Sequence, residues 1–171
     1  MKLNEISTTE YGSYYNTYIS KLGEVELLDG LKEGLADFHS FVKSIPSDKY
    51  GYRYAEGKWD LKEIIQHIID TERVFAYRAM CISRGDQTSF PGFDENSYAN
   101  HAIVEHRRME DLIEEFDLVR KSTIALLRSL KEKELAIIGT ASNTPASPRA
   151  IGFIILGHQL HHSRVFNERY L

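Results

Sequence analysis

The sequence predicts an all-α protein, a four-helix bundle with a short N-terminal helix packed on its outside. Three observations carry that expectation. Four stretches, at about residues 25–45, 60–84, 108–131 and 149–170, repeat apolar side chains at the three- and four-residue spacing of a helix with one buried face. No run of alternating apolar and polar residues is long enough to argue for a sheet. The 171 residues, 42% of them hydrophobic, suffice for one domain (1–171) with a sizeable core.

Taken in order, residues 8–22 hold Tyr11, Tyr14, Tyr15, Tyr18, Ile19 and Leu22, an aromatic stripe at helical spacing that predicts a short helix clamped against the body. The first long helix aligns Leu28, Leu31, Leu35, Phe38, Val42 and Ile45 on one face, and Pro46 stops it. A connector rich in turn formers and tyrosine reaches to Lys58. Asp60 then caps the second helix, with Glu63 completing a capping-box pattern. Its stripe is Leu61, Ile64, Ile65, Ile68, Phe75, Ala79 and Ile82.

Residues 84–106 lack convincing periodicity and contain Phe90-Pro-Gly-Phe-Asp94. Long irregular segments tend to be functional or disordered, and the aromatics argue against disorder, so this stretch is expected to wall a pocket at one end of the bundle. The third helix carries Met109, Leu112, Ile113, Phe116, Val119, Thr123, Leu126, Leu127 and Leu130, with its charges largely on the outer side. Residues 139–148 read as a loop by composition. The fourth helix has a second apolar line, Phe153, Leu156 and Leu160, which either the tyrosine-rich segment or another subunit has to cover.

A net charge of -4 and a pI near 6.0 give no basic field for nucleic acid or an anionic membrane. The single cysteine, Cys81, rules out an intrachain disulfide and suits a reducing compartment. With no secretory signal pattern and no stretch apolar enough to span a bilayer, the expected location is the cytoplasm.

The chemistry concentrates near the C-terminus. In Gly157-His-Gln-Leu-His-His162, His158 and His162 stand four residues apart on one helical face, amid Ile151, Ile154, Ile155 and Val165. His161 turns away from that face. Buried imidazoles need hydrogen-bond partners or a cation, and a shared metal ion satisfies both. The alternative is a pair bonded to carboxylates or capping the bundle end. A third donor is available in His67, on the flank of the second helix in line with Ile64, Thr71 and Val74, if the second and fourth helices are neighbours.

Three neutral imidazoles leave positions open for water or substrate, as catalytic rather than closed structural sites do. Imidazole donors suit zinc or nickel, and also iron or copper. Such an ion activates water or a thiol. Glu72, near the middle of the second helix's stripe, is expected either to accept a proton or orient a ligand histidine, or to pair with Arg78, Arg120 or Arg149. Asp70 points further round and would at most support a ligand; His39, His101 and His106 read as structural or surface residues.

Lys58-Trp-Asp60, His67-Ile-Ile-Asp-Thr-Glu-Arg73, Phe75-Ala-Tyr-Arg78, Phe90-Pro-Gly-Phe-Asp94 and Gly157-His-Gln-Leu-His-His162 occur here in order. Together they resemble the DinB/YfiT superfamily, grouped as metal-dependent enzymes, from about Tyr11 to the end of the chain. That resemblance implies an up-down-down-up bundle, often dimeric, with a metal held by one histidine of the second helix and two of the fourth. Those positions correspond to His67, His158 and His162. It also implies activities such as thiol-dependent S-transfer or hydrolysis.

The expected function is therefore that of a metal-dependent transferase or hydrolase, in which a divalent ion activates a low-molecular-weight thiol or water against a small electrophilic substrate. The expected assembly is a homodimer. The competing reading is a metal-binding, stress-associated helical dimer that acts by interaction.

Overall fold

The computed structural model describes residues 1–171. In chain order the helices are α1 (Asn16–Ile19), α2 (Leu27–Ser44), α3 (Leu61–Ser83), α4 (Glu95–His101), α5 (Met109–Ser129), α6 (Glu132–Leu135) and α7 (Pro148–Arg169). The bundle consists of α2, α3, α5 and α7, each within a few residues of its expected bounds. Their ends follow from local chemistry. The Asp60 carboxylate accepts from the Glu63 backbone N–H while the Glu63 carboxylate accepts from that of Asp60, so the predicted capping box starts α3. Ser147 caps α7, with Pro148 in the first turn where its missing N–H costs nothing.

Side-chain pairings fix the direction of each helix. Lys62 bonds the carbonyl of Arg107 and Arg73 pairs with Glu115, so α3 and α5 run in parallel. His39 bonds Asp117 while Arg120 reaches the carbonyl of Leu31, making α2 and α5 antiparallel. The Tyr170 hydroxyl donates to the Trp59 carbonyl and His67 meets His158, so α3 and α7 are antiparallel. Gly30 lies against Leu156 and Phe41 against Phe166, so α2 and α7 are parallel. The order is up-down-down-up, and the connection between the two parallel middle helices is the long 84–108 segment.

The core divides along the bundle axis. One apolar cluster gathers Leu27, Leu31, Phe75, Ile82, Leu127, Phe153 and Ile154; the other gathers Phe38, Ile65, Ile69, Leu112, Phe116 and Phe166. Between them lies a buried polar layer of Glu72, Arg120, His158 and Gln159. Interiors tolerate such groups only when they are paired or functional, and this layer is where the site is built.

Four expectations change. The tyrosine-rich segment is mostly 3-10 turns, at Thr8–Glu10 and Ser13–Tyr15, and only Asn16–Ile19 is α-helical. Tertiary anchoring holds it instead: the Glu10 carboxylate accepts from Arg149 and from the Ser147 hydroxyl. The apolar line on α7 is met by α2, which Gly30 lets approach so closely that a Cβ there would lie 2.7 Å from Leu156. Residues 139–148 are a hairpin, β2 (Gly139–Ala141) and β3 (Thr144–Ala146), turned by Ser142 and Asn143 at φ 52° and 60°. β1 (Ser89–Phe90) adds in parallel to β2, giving a three-stranded sheet in the order β1-β2-β3. No helix is long and apolar enough to cross a membrane.

Candidate metal centre

α3 and α7 pack side by side and in opposite directions, which carries His67 to the face bearing His158 and His162. The Nε2 atoms of His67 and His158 are 3.0 Å apart, as are those of His158 and His162. One nitrogen of each ring lies within 4.8 Å of the others. The three donors fit a shared cation: imidazole nitrogens about 2.0–2.1 Å from a tetrahedral ion stand about 3.3 Å apart.

Hydrogen bonding alone leaves the cluster poorly satisfied. Both neighbours approach the same Nε2 of His158, which has one proton or one lone pair to offer, not both. Burial pushes His67 down to about 4. Burial also holds His158 and His162 well below the ordinary histidine value, reinforced by the neighbouring rings. All three are therefore neutral at neutral pH, with lone pairs available, as ligation requires.

Aromatic walls fix the ring orientations. Trp59, next to the Asp60 cap, lies over His67 at 4.7 Å between centroids, and Tyr18 meets His158 edge-on at 5.4 Å. Tyr18 comes this close because position 157 is glycine; a Cβ there would sit 2.7 Å from the Tyr18 carbonyl oxygen. Two cavities flank the cluster. One of about 200 Å³ is lined by Trp59, Asn96, His162 and Tyr170. The other, about 100 Å³, is lined by Tyr14, Tyr15, Tyr18, Thr71, Arg78 and His158 among others. A larger groove of about 260 Å³ between α2 and α7 touches none of the three histidines.

The remaining candidates fall elsewhere. His161 is half-buried beside Lys21 and contributes nothing to the cluster. Glu72 takes the second of the two roles offered by its sequence position: both carboxylate oxygens accept from Arg120, at 2.9–3.2 Å, and neither is free to act as a base. The pairing follows from burial, since Glu72 and Arg120 occupy one closed layer and neither could stay charged there alone. Asp70 accepts from Gln66 and faces Arg73 in the charged seam between α3 and α5, away from the histidines. His101 and His106 are exposed.

Sequence reasoning assigned no role in the site to Tyr18, Trp59, Thr71 or Arg78. The signal for two of them was present, because His67, Thr71, Phe75 and Arg78 recur at steps of four, four and three along one face of α3. The expected pocket wall is real: Phe93 of the Phe-Pro-Gly-Phe stretch lines the smaller cavity.

The model of the DinB superfamily matches residues 31–166, a span that includes all three histidines. The chain belongs to the DinB superfamily. Among solved structures, YfiT from Bacillus subtilis superposes with a TM-score of 0.74 at 14% identity, over 83% of this chain and 82% of its own. YfiT is described as a probable metal-dependent hydrolase with an unusual four-helix bundle topology. The DinB-like protein YjoA of Bacillus subtilis gives 0.58 at 19% identity, over 84% of this chain and 89% of its own. At these identities the likeness is one of fold, and the up-down-down-up bundle is the DinB architecture seen here. No functionally curated protein matches the sequence.

Proposed function

We propose that this DinB protein is a metal-dependent enzyme in which His67, His158 and His162 hold a divalent cation, and that its substrate is a small electrophile attacked by water or by a low-molecular-weight thiol. The observation that carries this reading is the convergence of three neutral imidazoles, His67 and His158 buried and His162 half-buried, with two Nε2 separations of 3.0 Å. Zinc or nickel suits this donor set first, with iron or copper next. Bound there, such an ion supplies Lewis acidity and makes water or a thiol nucleophilic near neutral pH.

The chain's own residues do the rest. Trp59 and Tyr18 hold the rings in register, and the apolar clusters on either side keep bulk water from the polar layer. The two flanking cavities leave room for a substrate next to His158 and His162. The description of YfiT as a probable metal-dependent hydrolase supports the hydrolytic branch by analogy of fold.

The test is elemental analysis of protein purified without chelators, followed by assays against small esters, amides and alkyl electrophiles, each with and without cellular thiols. One equivalent of transition metal and metal-dependent turnover are expected. Thiol-independent turnover assigns hydrolysis; strict thiol dependence assigns transfer. A protein that takes up no metal at any stoichiometry overturns the proposal.

A further inference from the structure

Three arginines reach into the interior of this chain, Arg78 and Arg120 buried and Arg149 half-buried, and two of them have carboxylate partners: Arg120 is held by Glu72 and Arg149 by Glu10. The third, Arg78, is 3% exposed and has none. It takes part in no ion pair, and of its five N–H donors one is used, towards the carbonyl of Pro91. Its remaining surroundings are the faces of Phe75 and Phe93, at 5.6 and 5.9 Å. The ionisable groups close enough to act on it are the phenols of Tyr15 and Tyr98. A guanidinium taken out of bulk water with no counter-charge is costly, and an anion within reach of its free N–H groups offsets that cost.

Arg78 opens into the cavity of about 100 Å³ that also reaches His158. A second orphan lines that space: the Thr71 hydroxyl is fully buried and makes no hydrogen bond, not even to its own helix. Thr71 and Arg78 lie two turns apart on α3, about 10.5 Å along the axis. The cavity thus presents a metal-site histidine, an unbonded hydroxyl and an unpaired cation between phenol rings. Glu95 stands exposed at its rim and does not pair with Arg78.

We propose that Arg78 is the anchor for a carboxylate carried by the substrate, with the Thr71 hydroxyl bonding the polar backbone of the same small molecule. The guanidinium fork matches a carboxylate with two parallel bonds, and the phenol walls exclude the water that would weaken them. The substrate class is then a short carboxylic acid bearing its electrophilic carbon at the end remote from the anion. The position of that reacting carbon rests on the metal reading above; the anion site does not.

The test is an NMR titration of the Arg78 Nε–H resonance with propionate and, separately, inorganic phosphate, using chelator-treated and zinc-loaded full-length protein. Propionate is expected to give a saturable shift in both forms. Arg78→Met weakens it at least tenfold, read from backbone amides around the cavity, and Arg78→Lys, which keeps the charge and loses the fork, weakens it severalfold. The lysine variant keeps the test decisive if the methionine variant does not fold. Absence of a saturable shift in the wild type, or unchanged affinity in the variants, overturns the proposal. A shift with phosphate alone overturns the carboxylate assignment. Propionate binding to a protein that cannot hold zinc refutes the metal reading and leaves this one standing; zinc uptake without propionate binding does the reverse.

Discussion

The Nε2 atoms of His67 and His158 lie 3.0 Å apart although 91 residues separate them in the chain. Neither imidazole has a carboxylate to bond, and both sit in the neutral form, so their meeting is a donor arrangement and not an ion pair. Replacing His158 by alanine removes the nitrogen that both neighbours approach. Elemental analysis is expected to fall from about one metal per chain to near zero, while His161→Ala retains it. Full metal content in the His158 variant would count decisively against the assignment.

A ligand that binds only the folded chain stabilises it in proportion to the logarithm of its concentration over Kd, about 2.7 kcal/mol at a hundredfold excess. Zinc at that excess is expected to raise the Tm of chelator-treated protein by roughly 5–10 °C, taking about 2–4 °C per kcal/mol for this size. The same addition leaves His158→Ala nearly unmoved. Equal shifts in both proteins, followed by calorimetry, would place the ion elsewhere.

Arg120 and Glu72 are 0% and 2% exposed and bonded through both carboxylate oxygens. Glu72→Gln strands a guanidinium in the polar layer and is expected to cost about 3–5 kcal/mol in urea unfolding. The double change Glu72→Leu with Arg120→Met removes both charges and should recover most of that loss. If the glutamate were instead the working base, the single variant would lose turnover while keeping its stability.

Gly157→Ala drives a methyl group to 2.7 Å from the Tyr18 carbonyl oxygen. The backbone there cannot yield cheaply, so about 1–3 kcal/mol is lost and the N-terminal segment is pushed off α7. Hydrogen exchange should quicken across residues 13–20 while the amides of α3 stay protected. Uniform protection in the variant would mean that the segment docks some other way.

Burial pushes the Glu10 carboxyl up, but hydrogen bonds from Arg149, the Ser7 backbone and Ser147 outweigh it and hold the group below its ordinary value of 4.5. A depressed carboxyl stabilises the folded state fully above its unfolded pKa and loses that contribution as pH falls through the folded one. The Tm difference between wild type and Glu10→Gln is therefore expected to be constant from pH 6 to 8 and to shrink on acidification below 4.5. A difference that widens towards low pH would contradict the sign.

The four long helices were legible because each buries one face, and periodicity records burial directly. The α3 cap was legible for the same local reason, Asp60 and Glu63 standing three residues apart. The hairpin at 139–146 was not, since three-residue strands are too short for alternation and its turn is Ser142-Asn143 in place of a glycine pair. The histidine pair on α7 could be read from spacing, whereas the arrival of His67 depended on which helices are neighbours. Glu72 shows the limit most clearly: position on a stripe says that a carboxylate is buried, but only the packing of α5 against α3 says that Arg120 is what it meets.

The parallel course of α3 and α5 obliges the chain to travel back along the bundle between them, and residues 84–108 make that journey. Phe93 and the Pro91 carbonyl, both on this return path, reach the cavity that holds Arg78. Topology thereby splits the labour: the long packed helices fix the imidazoles, while the strap, of which only α4 is helical, supplies part of the surface that a small molecule would touch. Insertions or exchanges in the strap are therefore expected to reshape the cavity around Arg78 without moving any of the three imidazole nitrogens, which the long helices hold.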